Sequence, residues 1–434
     1  MTEQLIKWLE KSTCNFLAAD TIIKELEGKE FQRLEQNENW HLEPWKKYFM
    51  VKNGSAVFAF TTGAGLESVR KGAQIIAAHS DSPCLRLKPH PEIYCEGGIV
   101  VLNVEKYGGG ILSTWFDRPL SIAGRITVKS DDIYNPREVI FDLKRPVAVI
   151  PNLAIHFNRG VNEGYAISVQ KDMKPVLGYF TYDEIVKARE GRGIIIETVA
   201  KACDVNPDDI LDYEISLYPV EAPRIIGLHK EFINSGRIDD LSMVFAGLKA
   251  LLETCDNTSD SFRILAIFDN EETGSGTRQG AASPVLRDLM ERVCEKLGGS
   301  KEDFLIGMAN SFLISADNAH AWHPNYNEKY DPTNHPMIGR GPVIKVNSNC
   351  KYMTDSVGSA IFRELCDKAN VPYQMFVNHA DVAGGSTLGN ILTSQLDLKG
   401  VDVGAAIWAM HSSAETGAVQ DYIDFVKVFE TFWS

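Results

Sequence analysis

At 434 residues the chain is longer than one simple core needs, so two domains are expected. Its apolar (44%) and charged (24%) fractions suit a globular protein, and a net charge of −14 without a dense Lys/Arg run argues against a nucleic-acid surface. No apolar stretch reaches transmembrane length, so no membrane partner is expected. Residues 1–26 carry acids and lysines throughout and lack the basic start and apolar core of a signal peptide.

The eight cysteines are scattered with no C-x-x-C pair, so neither a thiolate zinc site nor a redox motif is signalled, and a reducing cytoplasm is the expected compartment. Residues 1–28 read as helix, closed by Gly28, and residues 56–61 as a strand. Residues 74–80 read as a strand running into His79, Ser80 and Asp81. Two positions apart in extended chain, His79 and Asp81 project to one side, so one can ligate a metal while the other tunes it. An isolated H-x-D triplet is ordinarily a core histidine beside a turn aspartate.

From about residue 91 to 228 alternating strands dominate, at 98–104, 121–128, 139–142 and 148–150, with one helical run near 182–203. This reads as an inserted, mainly β domain between a first segment, 1–90, and a second, 229–434. Its default role is contact between subunits or covering the site.

After residue 231 helix–strand alternation returns. Gly236-Arg237-Ile238-Asp239-Asp240-Leu241 leads into a helix to about residue 252, where a lone Asp239 would ordinarily cap the helix. Residues 263–268 are a strand buried on both faces, broken by Asp269, Asn270, Glu271 and Glu272 and then by Gly274 and Gly276. Such a strand delivers carboxylates to the sheet edge where α/β proteins bind ligands. A helix follows at 283–297, then a strand at 312–316 ending at Asp317. His320 and His323 come next, in a loop where structural duty is as well supported as ligation. Residues 341–349 read as a strand with Lys345 in an apolar setting, 356–369 as a helix, and 372–377 as a strand. The glycine-rich run at 384–389 lacks a P-loop lysine and dinucleotide spacing, so phosphate binding draws little support. A strand at 403–410 ends at His411, and 419–432 is the closing helix.

Strands or helix starts thus end at His79, Asp239, the Glu271 and Glu272 pair, Asp317 and His411. This imidazole and carboxylate set, without thiolate, suits two divalent ions: typically Zn2+, with Mn2+ or Co2+ also accommodated. Three ligands would satisfy one ion, so the surplus favours two. A glutamate beside a ligand glutamate is then a candidate general base.

At this point the motifs resemble the aspartyl aminopeptidase family of cytosolic dinuclear zinc exopeptidases. The matching pieces are A-H-S-D-S-P at 78–83, G-G-G…T-W-F-D-R at 108–118, I-P-N-L-A-I-H at 150–156 and R-I-D-D-L at 237–241. They continue with F-D-N-E-E-T-G-S at 268–275, S-A-D-N-A-H-A-W-H-P-N-Y at 315–326, G-P-V-I-K at 341–345 and A-M-H-S at 409–412. The resemblance implies an α/β fold: a mixed-sheet zinc exopeptidase (phosphorylase/hydrolase-like) catalytic domain interrupted by a β-rich dimerisation domain, assembled as a dodecamer. It implies that His79, Asp239 and Asp317 hold one ion and that Asp239, Glu272 and His411 hold the other, with Asp239 bridging. Glu271 would be the general base, Asp81 would orient His79, His156 would support the transition state, and Lys345 and Tyr352 would contact the acidic side chain of the residue removed. The substrates would be peptides. Two stretches depart from the family's wording: 385–390 reads G-S-T-L-G-N, and 411–415 reads H-S-S-A-E without the usual arginine. Both bear on side-chain preference more than on hydrolysis. The alternatives are a related dinuclear deacylase or carboxypeptidase, and a catalytically silent scaffold that would have lost ligands; none is missing here.

Overall fold

The computed structural model describes residues 1–256 and 259–434. Its contacts divide the chain into two units: Met1–Asp81 with Pro223–Met410 and Glu415–Ser434, and Ser82–Ala222 with His411–Ala414. The sequence reading placed its changes of texture at residues 90/91 and 228/229.

The first unit is built on a nine-stranded mixed sheet. Its middle runs Ala56–Thr61, Phe262–Phe268, Ala73–His79, Phe312–Ala316, Lys399–Gly404, Val343–Lys345. Phe262–Phe268, Ala73–His79, Phe312–Ala316 and Lys399–Gly404 are mutually parallel and in close register, with Phe268 beside His79 and Ser315 beside Asp402. Successive side chains of a strand point to opposite faces. Ile76, Leu265, Ile267, Ile314, Val401 and Val403 accordingly pack into one core with the helices Ile238–Thr254 and Val419–Phe432. Ile75, Ile264, Ala266 and Leu313 pack into another core with Val285–Lys296, Lys301–Asn310 and Leu388–Leu392. Buried on both faces, these strands are mostly apolar along their length, with Arg263, Ser315 and Asp402 as buried exceptions.

The N-terminal helix is two helices, Thr2–Lys11 and Asn15–Gly28. The break serves tertiary structure: the Ser12 carbonyl accepts a hydrogen bond from Arg237 Nε at 3.0 Å, and Cys14 is extended. Trp8 Nε1 donates to the Leu241 carbonyl at 2.8 Å, and Asn15 Nδ2 donates to Asp269 at 2.9 Å. This hairpin therefore braces both acidic segments of the sheet edge. The expected strand at 341–349 is only Val343–Lys345, and the expected 403–410 strand is divided between two sheets, as Lys399–Gly404 and Ala406–Trp408.

The second unit is a seven-stranded antiparallel sheet. Ile210–Pro219 pairs with Cys84–Tyr94 on one side and with Pro119–Val128 on the other, which closes six of the strands into a small barrel. Leu102, Trp115, Ile122, Ile126, Ile195, Val199 and Leu217 fill its core. Among the described residues, no helix is long and apolar enough to cross a membrane.

Candidate metal centre

Because Ala73–His79, Phe262–Phe268 and Phe312–Ala316 are adjacent and parallel, their carboxyl ends open on one edge of the sheet. His79 ends the first. Its backbone N–H donates to Asp240 Oδ2 at 3.2 Å, and its ring Nδ1 lies 3.0 Å from the Asp81 carbonyl oxygen. A carbonyl only accepts, so this contact assigns a proton to Nδ1, and Nε2 is the nitrogen that would face an ion. That nitrogen lies 3.6 Å from Asp239 Oδ1.

The second strand ends in Asp269 and Asn270, then turns. Asn270 at φ 62 and Gly274 at φ 93 bracket the single turn Glu271–Thr273; both conformations are left-handed, which asparagine tolerates and glycine adopts freely. Asn270 Oδ1 accepts from Thr277 Oγ1 and Gln279 Nε2, both at 2.8 Å. The Asp81 carboxylate accepts the backbone N–H groups of Glu271 at 3.1 Å and Glu272 at 3.2 Å while lying 3.3 Å from His79 Nδ1. One buried carboxylate thus fixes a histidine and the backbone of two glutamates.

Asp239 stands at the start of Ile238–Thr254, but it and Asp240 depart from helical geometry, and the residue at the N-cap is Arg237. Its N–H donates to Glu415 Oε2 at 3.0 Å. Asn318, directly after Asp317, donates through Nδ2 to the Ile238 carbonyl and to Asp240 Oδ1, both at 3.1 Å.

Two groups of candidate ligands result. One ligand atom from each of His79, Asp239, Asp240 and Asp317 lies within 4.8 Å of the others, and the same holds for His79, Glu271 and Glu272. Asp239 and Glu272 also approach each other within this limit. Asp240 was not anticipated from sequence. The signal available was a second acid buried at the start of an otherwise apolar helix. His320 and His323 belong to none of the ligand groups among the described residues.

The electrostatics favour a cation. Burial pushes the Glu271 carboxyl up to about 8, reinforced by Asp317, Asp81 and Asp239 and opposed by His79. Burial likewise raises Asp317, against the pull of Lys345, and raises Asp240 far above the carboxylate range. Burial disfavours the His79 cation, but Asp240, Asp239 and Asp81 outweigh it and hold its pKa well above the ordinary value. Like charges this close cannot all ionise unaided, and divalent charge would bring each carboxyl back down. A donor set of imidazole and carboxylates, with no thiolate, fits zinc.

Lys345 is buried, with Nζ 3.5 Å from Asp317 Oδ1 and 5.7 Å from the centroid of the buried Tyr352 ring. Burial works against its charge, yet Asp317, Tyr352 and Asp402 keep its pKa above the ordinary lysine value. In the second unit, His411 Nδ1 lies 3.1 Å from the Gly109 carbonyl, a contact that likewise assigns a proton to Nδ1. His156 stands in an exposed turn beside exposed Leu153, Ile155 and Phe157.

The Aminopeptidase I zinc metalloprotease (M18) family matches residues 8–433. The chain belongs to the M18 family of zinc aminopeptidases. It is 44% identical over 431 residues to a probable M18 family aminopeptidase 2 of Clostridium novyi (strain NT), covering 99% of this chain and 98% of that protein. Among solved structures, a cryo-EM structure of the Ape4 and Nbr1 complex superposes with a TM-score of 0.94 at 34% identity, covering 100% of this chain and 85% of that one. The mApe1 dodecamer of S. cerevisiae superposes with a TM-score of 0.85 at 27% identity, covering 99% and 95%. As an M18 enzyme the protein is a metallo-aminopeptidase with the α/β fold described, including the small separate barrel.

Proposed function

We propose that this M18 aminopeptidase is a cytoplasmic homo-oligomer, a dodecamer built from dimers, that uses two zinc ions to remove acidic residues from peptide N-termini. The observation that carries the reading is the juxtaposition of a buried ligand cluster with a buried cation: His79, Asp239 and Asp317 share one group, and Lys345 lies 3.5 Å from Asp317. His79, Asp239 and Asp317 would hold one ion; Asp239, Glu272 and His411 would hold the other. The solved mApe1 dodecamer supports the assembly. Eight free thiols support a reducing compartment.

Bound there, the ions would supply Lewis acidity for the scissile carbonyl and acidify the attacking water. The chain supplies the rest. Glu271 takes the proton from that water and returns it to the leaving amine. Asp81 holds the backbone on which Glu271 rides, so the base keeps its aim. Lys345 and Tyr352 face the side chain of the residue removed, and the ammonium pairs with a carboxylate there. His156 donates to the developing oxyanion. The test is a panel of peptides differing only in the N-terminal residue, assayed after chelator treatment and after zinc, manganese or cobalt is added back. Activity should vanish and return, with Asp and Glu ahead of Leu. Retained activity in metal-free protein, or equal rates on Asp and Leu, would refute the corresponding half of the reading.

A further inference from the structure

Asp402 is fully buried in the Lys399–Gly404 strand, and neither an ion nor a catalytic step accounts for it. Val401 and Val403 face one core, so Asp402 faces the other side of the sheet, where Leu388 and Leu392 pack. Its carboxylate is fully engaged. Oδ2 accepts the Met353 N–H at 2.6 Å and Oδ1 accepts the Thr387 hydroxyl at 2.6 Å, while its own N–H donates to Thr354 Oγ1 at 2.8 Å. Met353 follows Tyr352, and Thr387 is where the exposed glycine-rich loop returns to the interior. A Cβ at Gly389 would meet the Asp402 carboxylate at 2.5 Å, so glycine there lets the first turn of Leu388–Leu392 close on it. The antiparallel register sets Ile344 opposite Val403, so their chain neighbours Lys345 and Asp402 lie on adjacent strands.

A buried carboxylate with two short bonds to separate loops is costly to break and therefore holds them. We infer that Asp402 is the positioning residue of the substrate side-chain pocket, tying the Tyr352 segment and the glycine-rich loop to the strand beside Lys345. The inference deepens the proposed function and rests on it, because it takes the Lys345 and Tyr352 pocket as the place of the N-terminal side chain. Asp402 touches no substrate; it acts through the loops it holds.

The test uses the full-length, zinc-loaded enzyme and its Asp402→Ala, Asp402→Asn and Thr387→Val variants, with kcat and KM measured on aspartyl and leucyl peptides alongside zinc content. Displacing a positioning loop by about 1 Å costs on the order of tenfold to a hundredfold. Asp402→Ala should raise KM for the aspartyl peptide by about that factor and for the leucyl peptide by less, with zinc content unchanged. Asp402→Asn should rescue most of the loss, since its Oδ1 still accepts from Met353 and its Nδ2 can donate to the Thr387 hydroxyl. Thr387→Val removes the loop bond alone and should give part of the rise, and it carries the test if Asp402→Ala does not fold. Unchanged KM in Asp402→Ala and Thr387→Val, or a fall in zinc content and kcat at constant KM, would overturn the inference. Lys345→Met on the same peptides separates the two ideas. If it erases the acidic preference while KM is indifferent to Asp402 and Thr387, only the positioning role fails. If the parent shows no such preference, the pocket reading fails and takes this inference with it.

Discussion

Glu271 and Glu272 are adjacent, yet under the proposed function they would do different work, on a turn that is fixed from outside. Asp81 binds both of their backbone N–H groups, so neither carboxylate has to spend a bond holding its own backbone. Glu271→Gln keeps the shape of that turn and removes only the proton acceptor. Its kcat should fall by about 10²–10⁴-fold while zinc content stays near the parent value, which mass spectrometry under native conditions would report. Turnover near the parent rate would show that another group is the base. Lys345 poses the complementary case, a cation kept charged in the interior by Asp317, Tyr352 and Asp402. A hydrogen bond to a charged group is worth about 1.5–3 kcal/mol, roughly ten- to a hundredfold in rate between matched and unmatched side chains. Lys345→Met should therefore bring aspartyl and leucyl peptides to similar kcat/KM, chiefly by weakening the aspartyl substrate.

Elements differ in how far the chain announces them. The strands ending at His79, Phe268 and Ala316 are legible because each is a continuous apolar run stopped by acids or histidine, and two buried faces leave no other pattern. Asp240 and Asp402 are not legible. Asp240 is the second of two adjacent acids at a helix start and Asp402 a lone carboxylate in an apolar strand, and their partners, Asn318 for one and Met353 and Thr387 for the other, lie 15 to 78 residues away. The break at residues 12–14 is hidden for the same reason, since Arg237 captures the Ser12 carbonyl. Barrel closure depends on Ile210–Pro219 meeting Pro119–Val128 across some ninety residues, a pairing that no local pattern encodes. The helix Val419–Phe432 carries a testable consequence of such distant bonding. Asp421 accepts the Gly339 and Gly341 N–H groups, both at 2.8 Å, and so pins the loop that enters the Lys345 strand. Burial pushes its carboxyl up to about 7, against those two hydrogen bonds. The folded pKa thus lies above the ordinary aspartate value of about 3.9. Between these values the folded chain keeps a proton the unfolded chain has released, so this group's contribution to stability falls as pH rises from about 4 to about 7. Asp421→Asn removes the titration and leaves one N–H unsatisfied, at a cost of about 1–3 kcal/mol. It should melt below the parent at pH 5, and the gap should narrow by pH 7.5. A gap that widens with pH would contradict the sign.

At the scale of the whole molecule, the second unit interrupts the first, and an exposed apolar turn of it flanks His156. Leu153, Ile155 and Phe157 are 59%, 50% and 81% exposed. Such a cluster on a turn marks a surface that another molecule covers. A second copy is the economical partner for an M18 chain, because pairing about a two-fold axis covers the same turn on both copies at once. His156 of one copy would then serve the metal centre of the other. Two inactive proteins distinguish this from action within one chain: His156→Phe, which keeps Glu271, and Glu271→Gln, which keeps His156. After subunit exchange, half of the random pairs are mixed and one site in each mixed pair holds both an intact base and an intact histidine. About a quarter of full activity should therefore return. If His156 serves its own chain, every site in the mixture lacks one of the two groups and exchange restores nothing. Exchange demonstrated by native mass spectrometry with no recovery, or full activity in an isolated monomer, would exclude the trans arrangement.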